Sequence, residues 1–255
     1  MLIGITHLGP RIRAAMSTRS GGVSPPPFAS LNLGYATDDD PVNVAENERR
    51  LAATFGVAPD AIRWVYQVHG ARIGFAEALP PTVGSGATIE ADAVISETPG
   101  LAAAIKVADC APVLVAAEDA CAVAAIHAGW RGTAADIVGQ TLAVLRARHP
   151  GTAWRAWIGP CIGPEAFEIG PEVVDALLAA GATPGDFTPP FEHAGCGRQR
   201  ADLKAILVRQ LARAGLDPGR IAVDPACTFR DPSRFFSHRR DGRTGRMAAL
   251  VMIEP

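Results

Sequence analysis

The sequence predicts an α+β fold, with mixed sheets covered by helices. Two observations predict it. Long helical segments stand between groups of adjacent strands instead of alternating regularly with single strands. No Gly-x-Gly-x-x-Gly segment follows a strand, so the pattern of a dinucleotide-binding fold is missing. The chain has 255 residues, 48% of them apolar and 20% charged, an ordinary globular profile. A core of that size needs neither disulfides nor a structural metal. We read the chain as a single domain over residues 1–255.

The helices carry their own punctuation. The first starts at Asp40-Pro41, an N-cap followed by an N1 proline, and runs to Phe55, with Gly56 closing it. The second is expected from about Thr133 to before Pro150, with Ile137, Thr141 and Leu145 at helical spacing. The third spans Pro171 to Gly181. The fourth runs from about Ala201 to Ala214, with Leu203, Ile206, Leu207 and Leu211 on one face and Gly215 as its stop. Strands are expected at Arg11–Ser17, Arg63–Val68, Ala91–Ser96, Leu101–Val107, Pro112–Ala117, Cys121–His127, Ala153–Ile158 and Arg246–Ile253. Gly181 to Gly197 is the longest stretch without clear periodicity and reads as a surface excursion.

Composition excludes several classes. The formal net charge is −2, so no global basic field points to nucleic acid or anionic membrane. Five cysteines without regular spacing fit a reducing compartment better than a disulfide framework. The first residues lack a basic segment followed by an apolar one, so no signal peptide is expected. Lys106, Asp109, Glu118 and Asp119 interrupt the most apolar stretch, Leu101 to Ala128, which is unsuited to a membrane span. A cytoplasmic protein is expected.

His69, Cys110 and His127 are the candidate metal ligands. Each sits at or beside a strand end next to a glycine or proline, and two nitrogens with one sulfur suit zinc with a fourth position open. Pro112–Ala117 and Cys121–His127 abut closely enough to pair as a hairpin. A two-residue loop would set His127 opposite Cys110; a three-residue loop would set it opposite Ala111. Alternation through Trp64-Val65-Tyr66-Gln67-Val68-His69 puts Gln67 and His69 on one face. Spacing alone does not bring His69 to the hairpin. A buried cysteine is commonly an inert small hydrophobe, and the bland reading of each residue is structural. His7, His149, His193 and His238 read as surface or loop residues, with His149 near a helix C-terminus.

Several motifs occur in one order along nearly the whole chain. Thr18-Arg19-Ser20-Gly21-Gly22-Val23-Ser24 and Leu31-Asn32-Leu33-Gly34 open it. Gln67-Val68-His69-Gly70, Ala108-Asp109-Cys110-Ala111-Pro112 and His127-Ala128-Gly129-Trp130-Arg131-Gly132 follow. Ile158-Gly159-Pro160-Cys161-Ile162-Gly163-Pro164, Cys227-Thr228 and Phe236-Ser237-His238-Arg239-Arg240 come later. The set resembles the YfiH-like proteins, also called the laccase-domain or peptidoglycan-editing family. His238 departs from it, since a tyrosine is commoner there.

The resemblance implies a four-layer α/β/β/α sandwich and zinc on His69, Cys110 and His127. It implies a purine nucleoside phosphorylase acting on adenosine, inosine, guanosine and methylthioadenosine, with adenosine deaminase activity alongside. Copper-dependent polyphenol oxidation and editing of cytoplasmic peptidoglycan precursors are also attributed to such proteins. A multicopper oxidase needs many more histidines than this chain has, so zinc is favoured over copper. Zinc with an open position suits water activation or polarisation of a substrate oxygen. The motif of known base deaminases, H-x-E with P-C-x-x-C, is absent.

Phosphorolysis needs an anion pocket. Arg131, at a predicted helix start, and Asp109, beside Cys110, are the candidate catalytic residues. Arg19 and Asn32 are the candidate substrate-binding residues. Arg131 could instead pair with Asp136. The arginines from Arg230 to Arg246 form either a phosphate-facing rim or a solvated face. The expected partners are a purine nucleoside and phosphate, with no nucleic acid and no membrane, and a monomer or weak homodimer. The alternative enzyme is an amide hydrolase of peptidoglycan precursors, with Cys110 as nucleophile and His127 as its base. A zinc-stabilised binding module is the non-enzyme alternative.

Overall fold

The computed structural model describes residues 2–82, 84, 86–188 and 198–255. Two large mixed sheets lie face to face. One runs in the order β1 (Leu2–Ile5), β2 (Ile12–Ser17), β14 (Met247–Ile253), β6 (Ala102–Val107) and β3 (Ile62–Arg63). The other runs β13 (Ile221–Val223), β9 (Trp154–Ile158), β7 (Ala111–Ala117), β8 (Val123–Ala128), β5 (Ala93–Ser96) and β4 (Ile73–Phe75). A small third sheet joins β10 (Glu168–Ile169), β12 (Gln199–Ala201) and β11 (Phe187–Thr188). Most pairs are antiparallel, while β3–β6, β13–β9 and β4–β5 are parallel.

Helices cover both outer faces: α1 (Pro41–Phe55) on the first sheet; α3 (Ile137–Arg148) and α5 (Leu203–Arg213), with α4 (Pro171–Ala179) nearby, on the second. The short helices α2 (Trp130–Ala134) and α6 (His238–Asp241) stand near the site described below. The expected α/β/β/α sandwich is therefore the architecture found.

Strand alternation builds the layers. Along β7, Val113, Val115 and Ala117 face the helices, while Leu114 and Ala116 face the other sheet. Met16, Ile105, Val251 and Trp157 fill the space between sheets. Each fully buried Leu, Ile or Val side chain contributes about 1.5–3 kcal/mol over exposure. No helix among the described residues is long and apolar enough to cross a membrane.

α1 follows its sequence signals. The Asp40 carboxylate accepts from Val42 N at 2.9 Å, and Gly56 closes the helix at φ +83°. α5 is shorter than expected at its start because Asp202 caps it, accepting from Ala205 N at 3.0 Å. The single helix expected from Thr133 is two helices. Asp136 at φ +54° breaks them, and its backbone turns α3 away from α2.

Two further expectations are corrected. The β7–β8 loop has Ala117 N bonded to Ala122 O at 2.9 Å, with Ala120 at φ +58° inside it. The hairpin register is thereby shifted one step past the three-residue version and two past the two-residue version, and His127 faces Pro112. The strand expected over Arg63–Val68 ends at Arg63. Trp64 and Val65 are both buried while Tyr66 and Val68 are both exposed, so alternation fails there. Part of Gly181 to Gly197, including His193, lies outside the described residues.

Candidate metal centre and active site

The chain path explains how three distant residues meet. After Arg63 the chain leaves β6, and Tyr66 bridges instead to Glu90, on the approach to β5 in the second sheet. The Gln67 side chain replaces the lost ladder, donating to Lys106 O and accepting from Lys106 N, both at 2.7 Å. The crossing delivers His69, at φ +60°, to the buried carboxylate of Asp92. Asp92 accepts from Val68 N at 3.2 Å, His69 N at 2.9 Å and Gly70 N at 2.7 Å. It also accepts from His127 Nδ1 at 2.8 Å, and its carbonyl accepts from His127 N at 2.7 Å. One aspartate therefore ties the His69 turn to β8.

Cys110 comes from the turn between β6 and β7. Asp109 takes φ +87° there, a left-handed conformation that costs a non-glycine residue roughly 1–2 kcal/mol. Its carboxylate accepts from Thr228 Oγ1 at 2.6 Å and Arg239 N at 2.7 Å, and its carbonyl from Ile162 N at 2.9 Å. Those bonds hold the turn. Gly129 lies across from Cys110, and a Cβ there would sit 2.8 Å from Cys110 Sγ. Glycine is needed for that close approach.

The ligand atoms of His69, Cys110 and His127 lie within 4.8 Å of one another, and the two imidazoles meet edge-on at 4.9 Å. The residues fit a metal ion. The Asp92 bond to Nδ1 leaves His127 Nε2 directed to the cluster, the arrangement that orients ligand histidines. The cluster's own groups polarise one another. Burial opposes charge on Cys110, but His127 and His69 outweigh it and hold the thiol down at about 6. Burial likewise opposes charge on His127, but Cys110 and Asp92 push it up to about 9. A thiolate is the form that binds metal or attacks an electrophile.

The cluster opens on a cavity of about 750 Å³. Lys106, Arg131, Arg239 and Arg246 bring cations to its wall; Tyr35, Tyr66, Trp130 and Phe167 bring aromatic rings. Arg131 stacks over Trp130, 4.2 Å from the ring centroid, and the ion-pair partner of Asp136 is Arg213. Asp109 lines the cavity, and both of its carboxylate oxygens are bonded, to Thr228 and to the Arg239 amide.

Arg19 and Asn32 are placed elsewhere. Arg19 donates to Ala29 O and Pro232 O, both at 2.9 Å, and is not in the cavity wall. Asn32 is fully buried and donates to Thr37 Oγ1 at 3.0 Å and Asp39 Oδ2 at 2.9 Å. Neither residue lines the cavity, and these bonds tie both side chains to the protein itself.

Sequence reasoning missed Asp92, Lys106 and Gln67 as site residues. The signal for Asp92 was a lone carboxylate inside the apolar run from Ala91 to Ile95. Lys106 was the lone cation of β6. It sits 3.5 Å from Glu48 and 4.4 Å from the Trp64 ring centroid.

Fold and cluster together define an α/β/β/α sandwich with a His/Cys/His group suited to a metal ion at the mouth of a cationic cavity. The family model described as multi-copper polyphenol oxidoreductase laccase matches residues 13–254. The purine nucleoside phosphorylase YfiH of Escherichia coli is 40% identical over 242 residues, covering 95% of this chain and 94% of that one. A protein of Pseudomonas aeruginosa, also named purine nucleoside phosphorylase, is 43% identical over 244 residues, covering 96% of this chain and 94% of that one. The crystal structure of YlmD from Geobacillus stearothermophilus matches with a TM-score of 0.91 at 32% identity, covering 98% of this chain and 94% of that one. The chain belongs to the YfiH-like family.

Proposed function

We propose that the protein is a zinc-dependent purine nucleoside phosphorylase. Adenosine, inosine, guanosine and methylthioadenosine are its substrates, with adenosine deamination as a side activity. One observation carries the reading: the metal cluster, cationic side chains and aromatic walls share one cavity. Phosphorolysis asks for these together, since an anion must meet a flat base and its sugar in a single chamber. The names of the relatives support the same activity.

His69, Cys110 and His127 would hold the zinc, which supplies Lewis-acid polarisation when bound. Asp92 fixes the His127 tautomer and the His69 turn. Tyr66, about half exposed at 48%, offers a stacking face for the purine. Arg131 presents a guanidinium stacked on Trp130, poised for an oxyanion. A phosphate oxygen attacks the anomeric carbon, the bond to the purine nitrogen breaks, and the base leaves with that bond's electron pair and takes up a proton.

The test is turnover of adenosine by purified protein of measured metal content, with and without phosphate and a chelator. Phosphate-dependent release of adenine and ribose 1-phosphate, lost on chelation and restored by zinc, is expected. Phosphate-independent, chelator-insensitive consumption of adenosine would sink the phosphorylase reading.

A second reading rests on the Cys110–His127–Asp92 relay. A thiol held at about 6, bonded to an imidazole oriented by a carboxylate, is also the apparatus of a cysteine amide hydrolase. Cys110 would add to an amide carbonyl, His127 would protonate the leaving amine, and water would release the acid. This chemistry needs a thiolate free of metal. Zinc that protects Cys110 from iodoacetamide at one ion per chain speaks for the phosphorylase; full activity of metal-free protein on a peptidoglycan-precursor amide speaks for the hydrolase.

A further inference from the structure

Among the arginines between Arg230 and Arg246, most are already neutralised. Arg230 pairs with Glu165, Arg234 with Asp231, Arg240 with Asp241 and Arg243 with Asp38. Arg239 donates to Glu168 O at 2.9 Å. Arg246 differs. It is partly buried in the cavity wall, and no carboxylate pairs with it among the described residues. Its Nη1 donates to Thr244 O at 2.9 Å and Gly245 O at 3.1 Å, while Nε and Nη2 have no protein acceptor among the described residues.

The surrounding chain is shaped to hold this side chain. Arg246 N donates to Asn32 Oδ1 at 2.9 Å, and Leu33 N donates to Arg246 O at 3.0 Å. Asn32 Oδ1 also accepts from Gly34 N at 2.9 Å. A Cβ on Gly34 would lie 2.7 Å from Arg246 Cγ, so the turn leaves room for the arginine stem only because glycine stands there. Arg246 lines the same cavity wall as Cys110 and His127.

We propose that Arg246 is the phosphate anchor of the cavity. Arg246 makes no direct ion pair among the described residues, and a guanidinium with a free edge matches two oxygens of a tetrahedral oxyanion. The ligand is inorganic phosphate, the second substrate of the reaction proposed above, and the assignment rests on that reading. A nucleotide phosphoryl group has the same oxyanion chemistry, so the test carries both.

The experiment is calorimetric titration of the zinc-loaded full chain with inorganic phosphate and, separately, with adenosine monophosphate. Arg246→Gln should weaken phosphate binding about 10- to 100-fold, as expected for loss of a charge-assisted bidentate contact. Arg246→Lys should fall between it and wild type. Arg243→Gln, exposed and outside the cavity wall, should bind phosphate like wild type. In turnover, Arg246→Gln should raise KM for phosphate and leave KM for adenosine nearly unchanged. Wild-type phosphate affinity in both Arg246 variants would overturn the assignment. So would absent phosphate binding by wild type, or Arg246-dependent binding of the monophosphate alone. If wild type binds phosphate but turns over no nucleoside, the phosphorylase reading falls, and the binding comparison still decides Arg246. If Arg246→Gln does not fold, Arg246→Lys decides the binding question.

Discussion

The Asp92 carboxylate receives hydrogen bonds from the Val68, His69 and Gly70 amides and from His127, and has no solvent exposure. Every change to it must act through those partners. Asp92→Asn keeps the shape but turns one acceptor into a donor, which then faces an N–H. Zinc affinity should fall about 10- to 100-fold, the usual effect of losing a partner behind a ligand histidine. Competition with a chromophoric chelator reads this directly, and unchanged affinity would show that His127 needs no orientation. Gly129→Ala is a separate probe. The backbone there is ordinary, at φ −79°, so the only obstacle is the 2.8 Å approach to Cys110 Sγ. Metal stoichiometry should drop while the circular dichroism spectrum stays that of wild type. Hairpin pairing made Cys110 and His127 legible as neighbours in the sequence, whereas His69 joined them only through the family motifs, because its contact with them is made by a chain crossing between sheets. Asp92 was not legible, because a buried carboxylate bonded mostly to backbone leaves no spacing pattern.

At the scale of elements, Glu97 just after β5 holds the end of α3. It accepts from Arg148 Nε at 2.6 Å and bonds His149 Nε2 at 2.8 Å. The bond from Arg148, opposed by burial and helped by His149, lowers its pKa from 4.5 to about 2. A carboxylate with a depressed folded pKa stabilises above its unfolded value and loses that contribution as pH falls through the folded one. The tie should therefore be whole above pH 4.5 and gone near 2. Glu97→Gln should lower the melting temperature at pH 7 by roughly 1–4 °C, a surface-pair effect, and converge with wild type near the acid end. An equal deficit at both ends would exclude ionisation as the cause. The sequence showed α1 because Asp40, Pro41 and Gly56 act locally. It hid the break at Asp136 and the hairpin register, because a positive φ at an aspartate or alanine is settled by the surrounding packing. Very short strands such as β10, β11 and β13 were hidden for the same reason: their pairing, not their composition, makes them strands.

For the whole molecule, the question is whether the metal holds the fold or uses it. Among the described residues, three apolar cores fill the two helix–sheet interfaces and the space between the sheets. The His69–Cys110–His127 cluster sits at the strand ends instead, where β6 leads into β7 and β8 closes. Zinc that binds only the native state still stabilises by linkage, about 4 kcal/mol at free metal a thousandfold above Kd. For a chain of this size that is at most about 8–16 °C in Tm. Chelated protein should therefore melt lower, yet keep its far-ultraviolet spectrum and a cooperative transition at 25 °C. His127→Ala should do the same while abolishing turnover, because the mutation removes a buried ligand that belongs to none of the three apolar cores. A zinc-stabilised binding module predicts the opposite: loss of cooperative folding on chelation and no catalytic deficit to measure. Calorimetry of the same samples used for turnover separates the two, since the enzyme reading needs catalysis and folding to part company at this cluster.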